Sequence, residues 1–184
     1  DTLSLHDALP IFVWGKKRAE LGHEAPFGLE YIAIGNEEVG AEFFERYDYF
    51  HKAIRERYPE IKIINSGGPF PAGQEYERGW KSARDNKSDL VDEHYYCSPE
   101  WYLANHHRYD HFSKDEPKVF LGEYASWGNT YYNALAEASY MIGLERNAHA
   151  VGLACYAPML CNVDYVNWKP DLIWFNNHRV YGTV

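Results

Sequence analysis

The chain lacks the features that mark several classes of protein. It has no basic tract among its 184 residues, and its formal net charge is -9, which argues against nucleic acid or an anionic membrane surface as a partner. It has no run of about 18 apolar residues, so no transmembrane helix is expected. Its three cysteines, Cys97, Cys155 and Cys161, are not closely spaced and predict neither a disulfide framework nor a zinc site.

Motifs for common cofactors and nucleophiles are also missing. The first strand-to-helix turn has no GxGxxG, the loop Ser66–Gly73 is not followed by Lys-Ser/Thr, and no GxSxG occurs. These absences disfavour a dinucleotide site, a phosphate cradle and a serine hydrolase. Cys97 near His94 offers only a weakly supported nucleophile. His107 and His111 are spaced i, i+4 without an HExxH motif, so a solvated helix face is the favoured interpretation.

The first eleven residues do not resemble a native segment. Thr2–Ile11, TLSLHDALPI, matches all ten codons of an in-frame translation of a common sequencing adapter, and it lacks the h-region of a signal peptide. We therefore expect residues 1–11 to be an artefact and the rest to be a fragment of a longer protein. Localisation stays undetermined, because any signal peptide would lie upstream of the cut.

Strand and helix signals alternate through the rest of the chain. Apolar spacing and flanking prolines predict helices over Glu42–Tyr58, Tyr76–Ala83, Pro99–Phe112 and Asn133–Asn147. The pattern predicts strands over Leu29–Ile34, Ile61–Ile64, Leu90–Tyr96 and Lys118–Ala125, and a fifth strand or a buried run over Ala150–Leu160. The alternation predicts an α/β fold with a parallel sheet, which is either doubly wound or part of a β/α barrel.

Polar residues stand at the ends of three of these strands. Asn36 and Glu37 follow the first, His94 and Tyr96 end the third, and Glu123 ends the fourth. The carboxyl ends of barrel strands form the active site, and two inward-pointing carboxylates on different strands are the usual machinery of glycoside hydrolysis. Each residue also has a structural alternative. Glu37 would be an acidic residue at the start of a helix, and Glu123 would pair with a basic side chain. His94 and Tyr96, which share one strand face, would pack in the core.

Three stretches, YIAIGNE (31–37), LGEYA (121–125) and YAPMLCNVDYVNWKPDLIWFNNHRVYGT (156–183), resemble the catalytic barrel of glycoside hydrolase family 51, the α-L-arabinofuranosidases. The resemblance covers residues 12–184. It implies a partial (β/α)8 TIM barrel, about strands four to eight, without strands one to three or the β-sandwich that normally follows the barrel.

The resemblance also implies a site and a chemistry. Glu37 would be the general acid/base and Glu123 the nucleophile of a retaining mechanism that needs no metal or cofactor. The implied substrate-binding residues are Asn36, His94, Tyr96 and Trp127. The implied substrates are arabinose-containing oligosaccharides or polysaccharides, and a homo-oligomeric full-length protein is left open. Two alternatives are kept: another retaining glycosidase of the same clan, such as an endoglucanase or β-glycosidase, and an inactive remnant that binds carbohydrate through its aromatic side chains.

Overall fold

The computed structural model describes Leu9 and residues 12–183, so the remaining residues of the predicted foreign segment lie outside the described part. The described elements follow one another along the chain as α1 (Val13–Glu20), β1 (Tyr31–Ala33), α2 (Ala41–Arg57), β2 (Lys62–Ser66), α3 (Gln74–Asn86), β3 (Leu90–Cys97), α4 (Pro99–Ala104), β4 (Lys118–Ser126), α5 (Tyr131–Arg146), β5 (Val151–Tyr156), β6 (Leu160–Asn162), β7 (Ile173–Phe175) and β8 (Val180–Gly182). Among the described residues, no helix combines the length and apolar character needed to cross a bilayer.

Strands β1 to β5 form one parallel sheet whose spatial order is the chain order. A helix connects each strand to the next, as the alternation in the sequence predicts. A doubly wound sheet would reverse its strand order at a switch point. The unbroken order instead matches the wall of a β/α barrel, in which neighbouring strands are also consecutive in the chain.

Two predicted elements end earlier than the sequence pattern suggested. Helix α4 stops at Ala104 rather than Phe112, because the Asn105 side chain donates to the carbonyl of Trp101 at 2.7 Å and the chain continues in turns. His107 and His111 therefore lie exposed in those turns and not on a helix. The fifth strand ends at Tyr156, and the residues beyond it enter a separate three-stranded sheet, β6-β7-β8, which the sequence did not predict.

Aromatic residues supply much of the core between the sheet and its covering helices. The buried cluster consists of Trp80, Ala83, Val91, Tyr95, Tyr102, Tyr109, Val119, Leu121, Tyr124, Ala136, Tyr140 and Leu144. Several of its tyrosine hydroxyls make hydrogen bonds: those of Tyr95 and Tyr109 lie 2.8 Å apart, and Tyr102 donates to the carbonyl of Ala125 at 3.0 Å. Core packing thus accounts for the six aromatic residues of this cluster.

Strand β3 carries a carboxylate, Glu93, that is fully buried on this helix-facing side. It accepts hydrogen bonds from the side chains of Tyr76 at 3.0 Å, Trp80 at 2.9 Å and Tyr109 at 2.7 Å, and Arg108 lies 3.3 Å away. Arg108 also donates to the carbonyl of Pro71 at 2.6 Å. The network therefore ties helix α3, the turns after α4 and the loop after β2 to the middle of the sheet.

Replacement of Glu93 by alanine should destabilise the fold by about 3–5 kcal/mol, because Arg108 would keep a buried charge without its carboxylate. The shift in the urea midpoint at matched protein concentration measures this loss. Glu45→Ala, on the exposed face of α2, is the matched control and should change stability by less than about 0.5 kcal/mol. Similar midpoints for the two variants would show that the network is not needed for stability.

Among the residues that the structure describes, β1 and β5 are the edge strands of the sheet. The central residues of β5 are exposed, including Leu153 at 37%, whereas parallel strands are normally buried on both faces. We therefore expect the isolated 184-residue chain to self-associate, which light scattering after size exclusion would detect. Leu153→Lys should raise the monomeric fraction, because a charge on an edge strand opposes pairing. A monodisperse monomer of the unmodified chain would contradict the expectation.

Candidate active site

The loop after β1 places Glu37 at the carboxyl edge of the sheet. Gly35 turns the chain with φ 86°, and a Cβ there would lie 2.5 Å from Cγ of Glu38. Glu37 itself has φ 54°, which is uncommon for a residue with a side chain and concentrates at functional sites. Asn36 is exposed next to it on the same loop. Because of this turn, Glu37 reaches back over the sheet towards β3 and does not continue along the strand.

Strand β3 presents Asp92, His94 and Tyr96 to the face opposite the helices, since alternate residues of a strand point to the same side. The intervening Glu93 and Tyr95 are fully buried against the helices. His94 is only 3% exposed. The spacing of His94 and Tyr96 in the sequence predicted their shared face, and the same rule extends to Asp92, which sequence reasoning did not select.

A β-bulge in β4 turns Glu123 towards the same face. The register pairs Glu93 with Leu121 but His94 with Glu123, so Gly122 is an extra residue on β4. Leu121 and Tyr124 both belong to the helix-facing core, and they are three residues apart where strict alternation would require two. Gly122 and Glu123 therefore both face inward. Bulges that redirect a side chain in this way are common next to active sites.

The two predicted carboxylates converge on His94. Its Nδ1 lies 3.1 Å from Oε1 of Glu37 and 3.6 Å from Oε1 of Glu123. One oxygen of each glutamate and a nitrogen of His94 all lie within 4.8 Å of one another. The hydroxyl of Tyr96 donates to the other oxygen of Glu123 at 2.7 Å. Four residues predicted from three strand ends thus form one cluster, in which one oxygen of Glu123 accepts from Tyr96 and the other faces His94.

The carboxylates around His94 favour its protonated form. Burial opposes the charge, but the hydrogen bond and negative charge of Asp92, together with Glu37 and Glu123, outweigh burial and raise the pKa of His94 to about 9. His94 is therefore an imidazolium at neutral pH. Burial raises the pKa of Cys97 to about 11, so its thiol stays protonated at neutral pH and does not suit a nucleophile.

The same protonation state bears on metal binding. Glu37, His94 and Glu123 are the group of described side chains whose ligand atoms could surround a metal ion. An imidazolium, however, has a proton on each ring nitrogen and no lone pair to donate. The arrangement fits a protonated histidine that faces the carboxyl groups better than a metal centre.

An aromatic wall stands beside the carboxylates. The rings of Tyr96, Trp127 and Trp168 lie within 5.2–5.8 Å of one another, centroid to centroid. Trp127 is 48% exposed and Trp168 is 42% exposed, so both indoles offer surface for a sugar ring to pack against. Trp127 was predicted, but Trp168 was missed. The available signal was its position before Lys169 and Pro170, where no helix or strand pattern accounts for a tryptophan.

A parallel sheet in barrel order with two convergent carboxylates at its carboxyl edge is typical of the glycosidases built on β/α barrels. A family model described as α-L-arabinofuranosidase 1 domain matches residues 7–114, and one described as α-L-arabinofuranosidase C-terminal domain matches residues 111–184. The chain belongs to the α-L-arabinofuranosidase family, glycoside hydrolase family 51.

Individual relatives agree with this assignment. An extracellular exo-α-L-arabinofuranosidase of Streptomyces chartreusis is 53% identical over 171 residues, which are 92% of this chain and 21% of that protein. α-L-arabinofuranosidase 1 of Arabidopsis thaliana is 38% identical over 178 residues, 92% of this chain and 24% of that protein. The chain thus spans about a fifth to a quarter of the length of these curated relatives.

Solved structures agree on the fold. An arabinose-bound family 51 α-L-arabinofuranosidase superposes with a TM-score of 0.78 at 28% identity, covering 97% of this chain and 30% of that one. A family 51 α-L-arabinofuranosidase from Bifidobacterium longum gives a TM-score of 0.75 at 15% identity, over 97% of this chain and 46% of that one. The predicted partial TIM barrel is therefore confirmed.

Proposed function

We propose that this chain supplies the catalytic pair of a retaining α-L-arabinofuranosidase, which releases terminal arabinofuranosyl groups from oligosaccharides or polysaccharides. The observation that carries the proposal is that one carboxylate oxygen of Glu37 and one of Glu123 lie within 4.8 Å of each other. Retaining glycosidases hold their two carboxyl groups about 5–5.5 Å apart, whereas inverting enzymes need about 6.5–9.5 Å for a water molecule. Family membership supports arabinofuranose as the sugar.

In the proposed reaction, the Glu123 carboxylate attacks the anomeric carbon while Glu37 protonates the departing glycosidic oxygen. The bond to the leaving group breaks as a glycosyl ester forms on Glu123. Glu37, now a carboxylate, removes a proton from water as the water oxygen attacks the anomeric carbon. The bond from that carbon to Glu123 breaks, which regenerates the Glu123 carboxylate and releases the sugar with its original configuration. The hydrogen bond from Tyr96 holds Glu123 in place, and hydrogen bonds of this type to a charged acceptor are the stronger ones.

The other predicted residues have supporting roles in this proposal. Asn36 would bind the hydroxyl next to the anomeric carbon, from its exposed position beside Glu37. Trp127 and Trp168 would pack against the substrate. Residues 12–184 contain every member of this site and are assigned to the catalytic barrel. The adapter origin of residues 1–11 stays a separate prediction, which resequencing of the locus would test.

The activity should be tested in a full-length context, because the isolated chain leaves its sheet edges open. A suitable protein is a chimera in which this chain replaces the 171 residues that it matches in the Streptomyces chartreusis relative. The chimera should hydrolyse nitrophenyl α-L-arabinofuranoside much faster than nitrophenyl β-glucoside. The reverse preference would favour another retaining glycosidase. Arabinoside binding without hydrolysis would favour the carbohydrate-binding remnant.

A further inference from the structure

Asp92 has no role in the double displacement, yet it contacts the histidine that lies between the two reacting carboxylates. Its Oδ2 is 3.0 Å from Nε2 of His94, and its side chain is 13% exposed. Its other oxygen, Oδ1, is buried and has no hydrogen-bond partner among the described residues. Within the described part of the chain, His94 is therefore the polar group that compensates the burial of Asp92.

The number of protons on the His94 ring decides whether it can donate to both of its carboxylate neighbours. One ring nitrogen faces Asp92 at 3.0 Å, and the other faces Glu37 at 3.1 Å. An ionised carboxylate only accepts hydrogen bonds, and a neutral imidazole has a single N–H to donate. When Glu37 is ionised, as it is in the glycosyl-ester stage of the proposed reaction, both contacts can be hydrogen bonds at once only if His94 has a proton on each nitrogen. The geometry thus indicates an imidazolium at that stage.

Strand β4 leaves room for this pair. A Cβ on Gly122 would lie 2.0 Å from Oδ1 of Asp92 and 2.9 Å from Nε2 of His94, distances at which the carboxylate would have to move. Gly122 is also the extra residue of the bulge that turns Glu123 inward. One glycine therefore serves both the direction of Glu123 and the contact between Asp92 and His94.

We propose that Asp92 is a positioning residue, which keeps His94 doubly protonated and oriented so that its N–H bridges Glu37 and Glu123. This inference rests on the proposed function. The positive charge stabilises whichever glutamate is ionised, Glu123 before the attack and Glu37 in the glycosyl ester, and the ring fixes the position of Glu37. Without Asp92, a neutral His94 could present an unprotonated nitrogen to both glutamates.

The pH dependence follows from the groups that face His94. These are Asp92 from β3, Glu37 from the loop after β1, and Glu123 from β4. The raised pKa of His94, about 9, means that the bridging form is fully present at acidic and neutral pH and is lost as pH rises through that value. Loss of the Asp92 charge should lower the pKa of His94 towards the ordinary value of about 6.5. The bridging form should then be lost at a lower pH.

The test is Asp92→Asn in the chimera, because asparagine keeps the shape and can still accept from Nε2 but has no charge. At about pH 5, where His94 is protonated in both proteins, kcat/KM should be similar. At about pH 8, the variant should lose tenfold to thirtyfold, since a return of the His94 pKa from about 9 to about 6.5 lowers the protonated fraction at that pH about thirtyfold. Asp110→Asn, which removes an exposed carboxylate paired with Arg146, is the control and should show no pH-dependent loss.

Two further measurements separate positioning from a general structural effect. In a His94→Gln background, adding Asp92→Asn should cause no further loss, because a residue that acts through His94 has nothing left to act on. The imidazole resonances of His94 in NMR should titrate at least about one pH unit lower in Asp92→Asn. This second measurement needs no substrate.

The outcomes distinguish the two proposals. If the unmodified chimera does not hydrolyse the arabinofuranoside, the proposed function is wrong, and so is the catalytic purpose given to Asp92. If it is active but the Asp92→Asn loss is the same at every pH, or adds fully to His94→Gln, the positioning role is overturned while the function stands. An unchanged His94 titration overturns the contact between the two residues in either case.

Discussion

Replacement of Glu123 by alanine in the chimera should abolish turnover of every arabinofuranoside, with a loss on the order of 10⁴-fold or more, as expected when a covalent nucleophile is removed. The loss should not depend on the leaving group, because no glycosyl ester can form whichever aglycone departs. Steady-state rates on nitrophenyl α-L-arabinofuranoside and on an arabinose-containing oligosaccharide measure both points.

The neighbouring groups explain why this residue should dominate. Tyr96 donates to one oxygen of Glu123, and His94 faces the other at 3.6 Å, so the carboxylate is already oriented before a substrate binds. Glu145→Ala, on the exposed side of α5, is the matched control and should leave the rate unchanged. More than about 1% residual activity in Glu123→Ala, after exclusion of contaminating enzyme, would contradict the nucleophile assignment.

Glu37→Ala should show a different pattern, in which the loss depends on the leaving group. Protonation by a general acid contributes about 10²–10⁴-fold, but a nitrophenolate leaves readily without it. We therefore expect a large loss on an oligosaccharide and a much smaller loss of the first step on the nitrophenyl substrate. Rates across a series of aryl arabinofuranosides with different leaving-group pKa values measure this dependence.

Azide provides a second check on Glu37. In the Glu37→Ala variant, the glycosyl ester on Glu123 lacks the base that activates water. Azide needs no base, so it should attack the ester, restore turnover of the nitrophenyl substrate and yield an arabinofuranosyl azide. Glu123→Ala forms no ester and serves as the control, in which azide should not restore the retaining reaction. Equal losses across all leaving groups, with no effect of azide, would assign the acid/base role elsewhere.

The regular elements could be predicted where local pattern and tertiary contacts agree. The predicted strands Leu90–Tyr96 and Lys118–Ala125 each end within one residue of the observed strands, because polar or turn residues bound both segments. The segment after Ala104 was predicted as helix, but its aromatic and charged side chains turn inward, where Arg108 and Tyr109 meet Glu93. The spacing of apolar residues in the sequence does not show which charged residues form a buried ion pair.

The sequence by itself determined the alternation of strands and helices, the two glutamates at strand ends, and the shared face of His94 and Tyr96, since each follows from local spacing. Only the tertiary structure decided which way Glu123 points. Strict alternation would place it with Leu121 among the helix-facing residues, and the extra residue at Gly122 reverses that direction. A bulge depends on the register between two strands, which residues of one strand do not specify. For the same reason, the contacts that join Asp92 to His94 and Trp168 to Tyr96 appear only after distant segments pack together.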